Sequence, residues 1–560
     1  MKRILRRVSA LTFAMALMSA SVCGGIRIQG VTPEVKEAKA AESDNWGCDF
    51  SRYDLVAFHQ TGTREFDKKW YDDNKNASEY HIRWTAEFNY FAKLVNDGNT
   101  FEGKTVYLEN DILVGDNGSS PRVGEYKSRL LRSTVKDPFK GTFDGQKHWI
   151  QYISPTDNRD GAGVFGYTKN ATIKNLGVLA EIEGESRVGA LIGWMEGGTI
   201  SNCIAHANIY NLTENDGGGI VGRCEGGTID HCTFTNLYVS TEAFRGGSGI
   251  QANSLTGKNS KGGIAGFCTG GSIVRYCVCT GIDIKADDDH VGGIVGHSKG
   301  TVEYCRADVG IKEDAGSMKS ANIDDAGGIV GKNEGTVRGC VSKVEAKVDG
   351  GNVGGVVGLN EGTVEDCYAE GSVKGDEDIG GVCGDNNDKG RIQRCYAKVS
   401  VKGDCRAALV GCNEGQITDS YALTGVDGAD AVVRNEKKGS YDKCEFLDSA
   451  VFETFDEDVM ISGGYPFATN EETVEEPTPE PVEDTVAETE AEEAEPTAEA
   501  AEVTETQDPA AEEAQEPAAE DTTGSVFGES SMVWIILLVV VVVGVGAGTA
   551  VYIRKRKKTE

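Results

Sequence analysis

Acidic side chains gather at one recurrent place, immediately before a glycine-rich motif: Asp287, Asp288 and Asp289 in one copy, Asp324 and Asp325 in a second, Asp376 and Asp378 around Glu377 in a third. Carboxylates held this close repel one another, and a hard cation with six to eight oxygen ligands relieves that repulsion. Calcium bound between stacked loops is therefore the one cofactor these residues suggest. The plainer alternative is a set of solvated loop tips, since the nine-residue calcium repeat GGxGxDxUx is absent.

Other chemistries fare worse. A zinc peptidase needs His-Glu-x-x-His on one helix, and the sequence has none; His59, His81, His148, His206, His231, His290 and His297 are scattered and read as surface or turn residues. A polysaccharide hydrolase needs paired carboxylates in a groove. Glu303, Glu365 and Asp366 supply the number but no pattern, and solvation is the simpler account of them. No catalytic residue is assigned.

The element that positions all of these residues is a repeat. Gly-Gly-Ile/Val-x-Gly recurs at 218–222, 262–266, 292–296, 327–331, 354–358 and 380–384, with looser copies ending at Gly166, Gly193 and Gly411. A short polar turn follows, such as Asn333-Glu334-Gly335 or Asn360-Glu361-Gly362, then a β-branched residue and, three positions on, a cysteine. After the cysteine the pattern alternates with period two: Cys305, Ala307, Val309 and Ile311 on one face, Arg306, Asp308, Gly310 and Lys312 on the other. The three-residue step from Val302 to Cys305 breaks the alternation and demands a bend. The residue at that bend is Asn175, Asn202, His231, Gly339, Asp366 or Asp419 in six copies, types that tolerate a left-handed backbone, with Tyr276, Tyr304 and Arg394 as exceptions. Each repeat thus reads as one coil of three short strands, and stacked coils as a right-handed β-solenoid, a parallel β-helix of class all-β.

Side chains stacked in register run parallel about 4.8 Å apart, whereas a disulfide wants Cβ atoms about 3.8 Å apart and turned together. The column Cys203, Cys232, Cys277, Cys305, Cys340, Cys367 and Cys395 is therefore expected to be buried and reduced, whereas Cys224 with Cys268, or Cys383, Cys405 and Cys412, lie off it and are the better candidates for disulfides. Tyr210, Tyr368, Tyr396 and Tyr421 read as exposed aromatics in one column, suited to contact with a sugar, with ordinary strand propensity as the plainer alternative.

The repeat resembles the GLUG motif, carried here most closely by Gly354 to Gly358, Asn360, Cys367, Tyr368 and Ala369. Phe139 to Gly145 and Gly463 to Pro466 are similar to segments that bracket such arrays. The resemblance covers Gly161 to about Gly425. It implies a cell-surface or secreted protein and no particular reaction, since such repeats occur in adhesin-like proteins and beside immunoglobulin-A-cleaving metallopeptidases.

Composition divides the chain further. It has 560 residues, 73 Gly, only 11 Pro and a net charge of −33, which excludes a nucleic-acid partner because phosphate binding needs a basic surface. Residues 1–40 read as a signal peptide: basic Lys2, Arg3, Arg6 and Arg7 precede an apolar run too short to span a bilayer. Residues 41–86 form an N-terminal segment, 87–160 a cap with helical spacing at Glu87 to Val95 plus the first coils, 161–425 the repeat solenoid and 426–470 a distal cap. From 471 to 530 the composition of Glu, Ala, Pro and Thr makes a disordered acidic stalk. Residues 532–553 form an uncharged apolar stretch of transmembrane length, and 554–560 are a basic cytoplasmic tail. The expected protein is thus held in the cell membrane by one C-terminal helix, with its body outside. Its leading function is non-enzymatic, adhesin-like display to an extracellular glycan or protein; a carbohydrate-active enzyme and a structural envelope protein are the alternatives.

Overall fold

The computed structural model describes residues 65–467, apart from stretches at 116–120, 128–134, 213–215, 236–253, 258–259, 287–289 and 314–322 and a few positions between 425 and 465. The expected signal peptide, acidic stalk, apolar helix and basic tail lie outside the described residues, as do Asp287, Asp288 and Asp289. Among the described residues no helix is long and apolar enough to cross a membrane.

The described chain is a parallel β-solenoid. One face, sheet 1, has thirteen parallel strands of three or four residues, from Glu79–Ile82 to Ser440–Asp442. A second face, sheet 2, carries the longer strands that follow the bend, such as Tyr368–Lys374 and Tyr396–Lys402. Sheet 3 has nine strands, from Phe165–Lys169 to Val410–Asn413. Strands in each sheet pair with the equivalent residues one coil away, so a residue type repeated in sequence becomes a column in space. On sheet 1, for example, Val302 faces Val337, Val337 faces Val364 and Val364 faces Ile392. All four are buried.

The bend lies where the broken alternation requires it. Asn175, Asn202, His231, Tyr276, Tyr304, Gly339, Asp366, Arg394, Asp419 and Lys443 all have φ between 48° and 59°. The three residues whose types argue against a left-handed backbone adopt it nonetheless. At roughly 1–2 kcal/mol per residue for a non-glycine side chain, such strain persists only where packing outweighs it. Here the rings of Tyr276 and Tyr304 stack at 5.3 Å, and Arg394 pairs with Asp366 through both Nε and Nη2. Inside the bend the seven column cysteines are free thiols and buried, and the disulfide candidates Cys224, Cys268, Cys383, Cys405 and Cys412 are free thiols as well. Their Sγ atoms donate weakly to backbone carbonyls, as Cys305 does to Val274 and Cys340 to Val302, at 3.6 and 3.7 Å.

The glycine motif is a turn too crowded for a Cβ. A Cβ on Gly292 would meet the Val295 carbonyl at 2.0 Å, one on Gly293 the Gly328 carbonyl of the next coil at 2.1 Å, and one on Gly296 the Lys261 nitrogen at 2.5 Å. Each glycine thus answers to a different neighbour.

The two ends differ. At the N-terminal end the helix Thr85–Asn96 lays Phe88, Phe91, Ala92 and Val95, its i, i+3, i+4, i+7 face, over Phe101, Phe139 and Phe143. At the other end Ser440–Asp442 and Glu445–Leu447 add one more coil beyond the last recognisable motif. The chain then turns back along the outside of sheet 2 through the short helices Ser449–Phe452 and Glu457–Ile461.

Candidate functional site

Of the acids that suggested calcium, Asp324 and Asp376 are exposed, while Asp325 is buried. His290 Nδ1 lies 2.7 Å from one Asp325 carboxylate oxygen, and Asn352 Nδ2 donates to the other at 2.9 Å. Asp325 is in register with Asn352, and Asn352 stands one coil before Asp378. The column therefore reads His290, Asp325, Asn352, Asp378, Cys405, with an amide between the two carboxylates.

The carboxylates read as solvated are not. Glu303 is 9% exposed and accepts from Arg338 Nε at 2.8 Å; Asp366 is equally buried and holds Arg394 in a fork at 2.6 and 2.8 Å. Glu365 accepts from Gln393. Sequence reading missed these pairs because partners lie a whole coil apart and meet only once the register is known. The Asp366 carboxylate beside it holds the Arg394 guanidinium well above its ordinary pKa, so this side of the rod is a belt of inter-coil ion pairs.

The tyrosine column is also corrected. Tyr368, Tyr396 and Tyr421 do share a register, but Tyr368 and Tyr396 are 6% and 2% exposed. The returning segment covers them: Phe455 stacks on Tyr368 at 4.1 Å and Phe467 meets Tyr396 edge-on at 5.1 Å. The side chain of Tyr210 is not among those described. His206 departs from its expected surface role as well. It is fully buried, with Nδ1 2.9 Å from the Thr235 carbonyl, and burial pushes its pKa down to about 4.

The outer face of sheet 3 is the surface that sequence reading overlooked, although its signal is simple: one residue follows the last glycine of every motif. Those residues are Tyr167, Trp194, Arg223, Phe267, His297, Lys332, Leu359, Asp385 and Cys412, and consecutive members are in register. The first five form two contacting groups, the buried Tyr167 and Trp194 and the half-buried Arg223, Phe267 and His297. Tyr167 and Trp194 rings are 4.7 Å apart, the Arg187 guanidinium lies 4.7 Å over Trp194, Arg223 lies 4.4 Å over Phe267, and Phe267 meets His297 edge-on at 4.8 Å. Acids flank it. Glu225 accepts from Arg223 Nε at 2.7 Å, and Glu334 contacts His297 Nε2 at 2.9 Å and Lys299 at 2.8 Å. Burial prevails over Glu334 and lowers the His297 pKa to about 4. Aromatic and guanidinium planes edged by carboxylates suit flat, hydroxyl-bearing or peptide-like ligands.

Among solved structures, the chain is similar to a candidate immunoglobulin A1 protease from Bacteroides ovatus, at 16% identity over 73% of this chain and 91% of that one, with a TM-score of 0.30. A second similar structure, an IgA1 protease, has 14% identity over 63% of this chain and 23% of that chain, with a TM-score of 0.29. No curated protein matches the sequence. The repeat itself is matched by a family model: residues 349–374 carry the GLUG motif.

Proposed function

We propose that this chain is a surface-displayed binding protein without catalytic activity, whose solenoid presents the outer column of sheet 3 to an extracellular glycan or protein. The observation that carries the reading is the half-buried trio Arg223, Phe267 and His297, in contact along the rod at the position after each glycine motif, whereas Tyr167 and Trp194 at the head of the column are buried. A column of planar groups at successive coils offers a repeating ligand equivalent contacts about 4.8 Å apart. Surface location is supported by the GLUG motif, a repeat found in bacterial surface proteins, by the apolar stretch 532–553, and by the five basic residues Arg554 to Lys558 that follow it.

Two experiments test the proposal. The full chain is screened on glycan and extracellular-protein arrays, alongside assays for reducing sugar and unsaturated products. Binding that Phe267→Ala and Arg223→Ala weaken, without turnover, supports the reading, and turnover overturns it. For location, protease added to intact cells should release a fragment cut within 471–521, and complete protection on cells with an accessible surface would refute membrane display.

A further inference from the structure

We propose that Asp385, Cys412 and Glu414 form a binding site for one borderline-soft divalent cation of the zinc class. Among the described residues these three bring metal-type donor atoms together: one oxygen from each carboxylate and the Cys412 sulfur all lie within 4.8 Å of one another.

The fold explains why they converge. Asp385 and Cys412 are register partners on adjacent coils of sheet 3, at the position after the last motif glycine, and Glu414 is two residues past Cys412 at the start of the polar turn. The strand residues between and beside them are fixed from the inside, since Asn386 and Asn413 are fully buried and hydrogen-bonded to each other at 2.8 Å. Two of the three donors therefore stand on a rigid backbone, and the third follows within one turn. Cys412 is only 5% exposed, while both carboxylates are half-buried. The sulfur is thus the most deeply placed of the three donors, with the carboxylate oxygens nearer the solvent.

The same two columns show what such a place requires. Three coils earlier, Lys332 occupies the position equivalent to Cys412, and its ammonium lies 3.1 Å from Glu361 and 3.9 Å from Glu334. There the cation is part of the chain. At Asp385 and Cys412 the column places a carboxylate and a thiol beside the glutamate of the turn.

The donor set selects the ion. Two carboxylates alone would suit calcium or magnesium, but a thiolate binds hard ions poorly and favours zinc or cadmium. Tetrahedral zinc, with about 2.3 Å to sulfur and about 2.0–2.2 Å to oxygen, needs donors roughly 3.3–3.8 Å apart. Rotamer adjustments of about 1 Å at the two carboxylates close the present spacing. On binding, the Cys412 S–H bond breaks, a sulfur–metal bond forms and one proton leaves to solvent.

The test uses the metal-free full chain titrated with cadmium or cobalt, followed by thiolate-to-metal charge-transfer absorption and proton release. One equivalent should bind with about one proton released. Cys412→Ser should abolish the absorption, Asp385→Asn and Glu414→Gln should each weaken binding about tenfold or more, and a large excess of calcium should not compete. Thermal unfolding of each metal-free variant, unchanged from the parent, confirms that the coil is intact. Charge-transfer absorption that survives in Cys412→Ser, or an affinity unaffected by both carboxylate variants, would overturn the site. So would displacement by calcium at equal concentration.

Discussion

The ring of Tyr304 lies over Gly339, so that a Cβ built on Gly339 would stand 2.6 Å from the tyrosine Cδ1. Both residues occupy the left-handed bend of adjacent coils, at φ 53° and 59°. Glycine here is demanded twice, by the backbone and by the ring above it. Gly339→Ala is expected to destabilise the solenoid by about 2–3 kcal/mol, of which the left-handed backbone accounts for about 1–2 kcal/mol. Tyr304→Ala should remove the remainder in a double-mutant cycle followed by thermal unfolding. Strict additivity of the two changes would mean that the ring does not constrain position 339.

A second relationship runs through the core. Asn333 Nδ2 donates to Asn360 Oδ1 at 2.9 Å, Asn360 to Asn386 at 2.8 Å and Asn386 to Asn413 at 2.8 Å, and all four residues are fully buried. Removing an inner rung strands a donor above and an acceptor below, each costing about 1–3 kcal/mol. Asn386→Ala should therefore destabilise by about 3 kcal/mol in denaturant unfolding. Asn386→Asp should also destabilise, because a carboxylate offers Asn413 Oδ1 no donor. A neutral Asn386→Asp would show that the amide chain is not what holds these coils in register.

These columns mark the boundary of what the sequence discloses. The coil period, the inward cysteines and the place of the bend follow from residues such as Val302, Tyr304 and Cys305, because a three-residue step between two inward side chains has few geometric solutions. Asn333 and Asn360 read as turn residues, since nothing in one copy reveals that their amides point inward and join the next coil. The pairing of Glu303 with Arg338 was likewise illegible, because a 35-residue separation differs from the commoner repeat length and hides the register. Tyr368 and Tyr396 looked exposed for a different reason. Their cover comes from Phe455 and Phe467, far along the chain, and no local pattern announces such a contact.

Acid should weaken the fold through His206. Burial holds its imidazole neutral, with a pKa of about 4 in the folded chain against about 6.5 when unfolded. The unfolded state therefore takes up a proton first as pH falls. The stability that His206 permits is fully present above pH 6.5 and is lost progressively down to pH 4, by about 3 kcal/mol. His206→Gln, which keeps a donor for the Thr235 carbonyl, should flatten unfolding free energy across that window relative to the parent. Parallel pH profiles for the two proteins would assign the acid sensitivity elsewhere.

The returning segment should open without unfolding the rod. Its helices, Ser449–Phe452 and Glu457–Ile461, have four and five residues and are too short to persist alone, so side-chain contacts must hold it down. Those contacts are Phe455 on Tyr368, Phe467 on Tyr396, the buried Phe452 and Met460, and an ion pair between Arg306 and Glu457. Both partners of that pair are about one-third exposed, so it contributes at most about 1 kcal/mol. The ring contacts, at about 1 kcal/mol each beyond their area, matter more. Phe455→Ala with Phe467→Ala should accelerate proteolysis between 448 and 467 far more than Glu457→Gln does. Burial also raises the Tyr368 pKa, so release of the cover should bring its ionisation down toward that of an ordinary tyrosine, visible as tyrosinate absorption at lower pH. The midpoint of global unfolding should stay close to that of the parent, because the described residues of the segment pack on the outer face of sheet 2, against Val341, Tyr368 and Tyr396. An unchanged tyrosine titration in the double variant would mean that Tyr368 owes its burial to the solenoid itself.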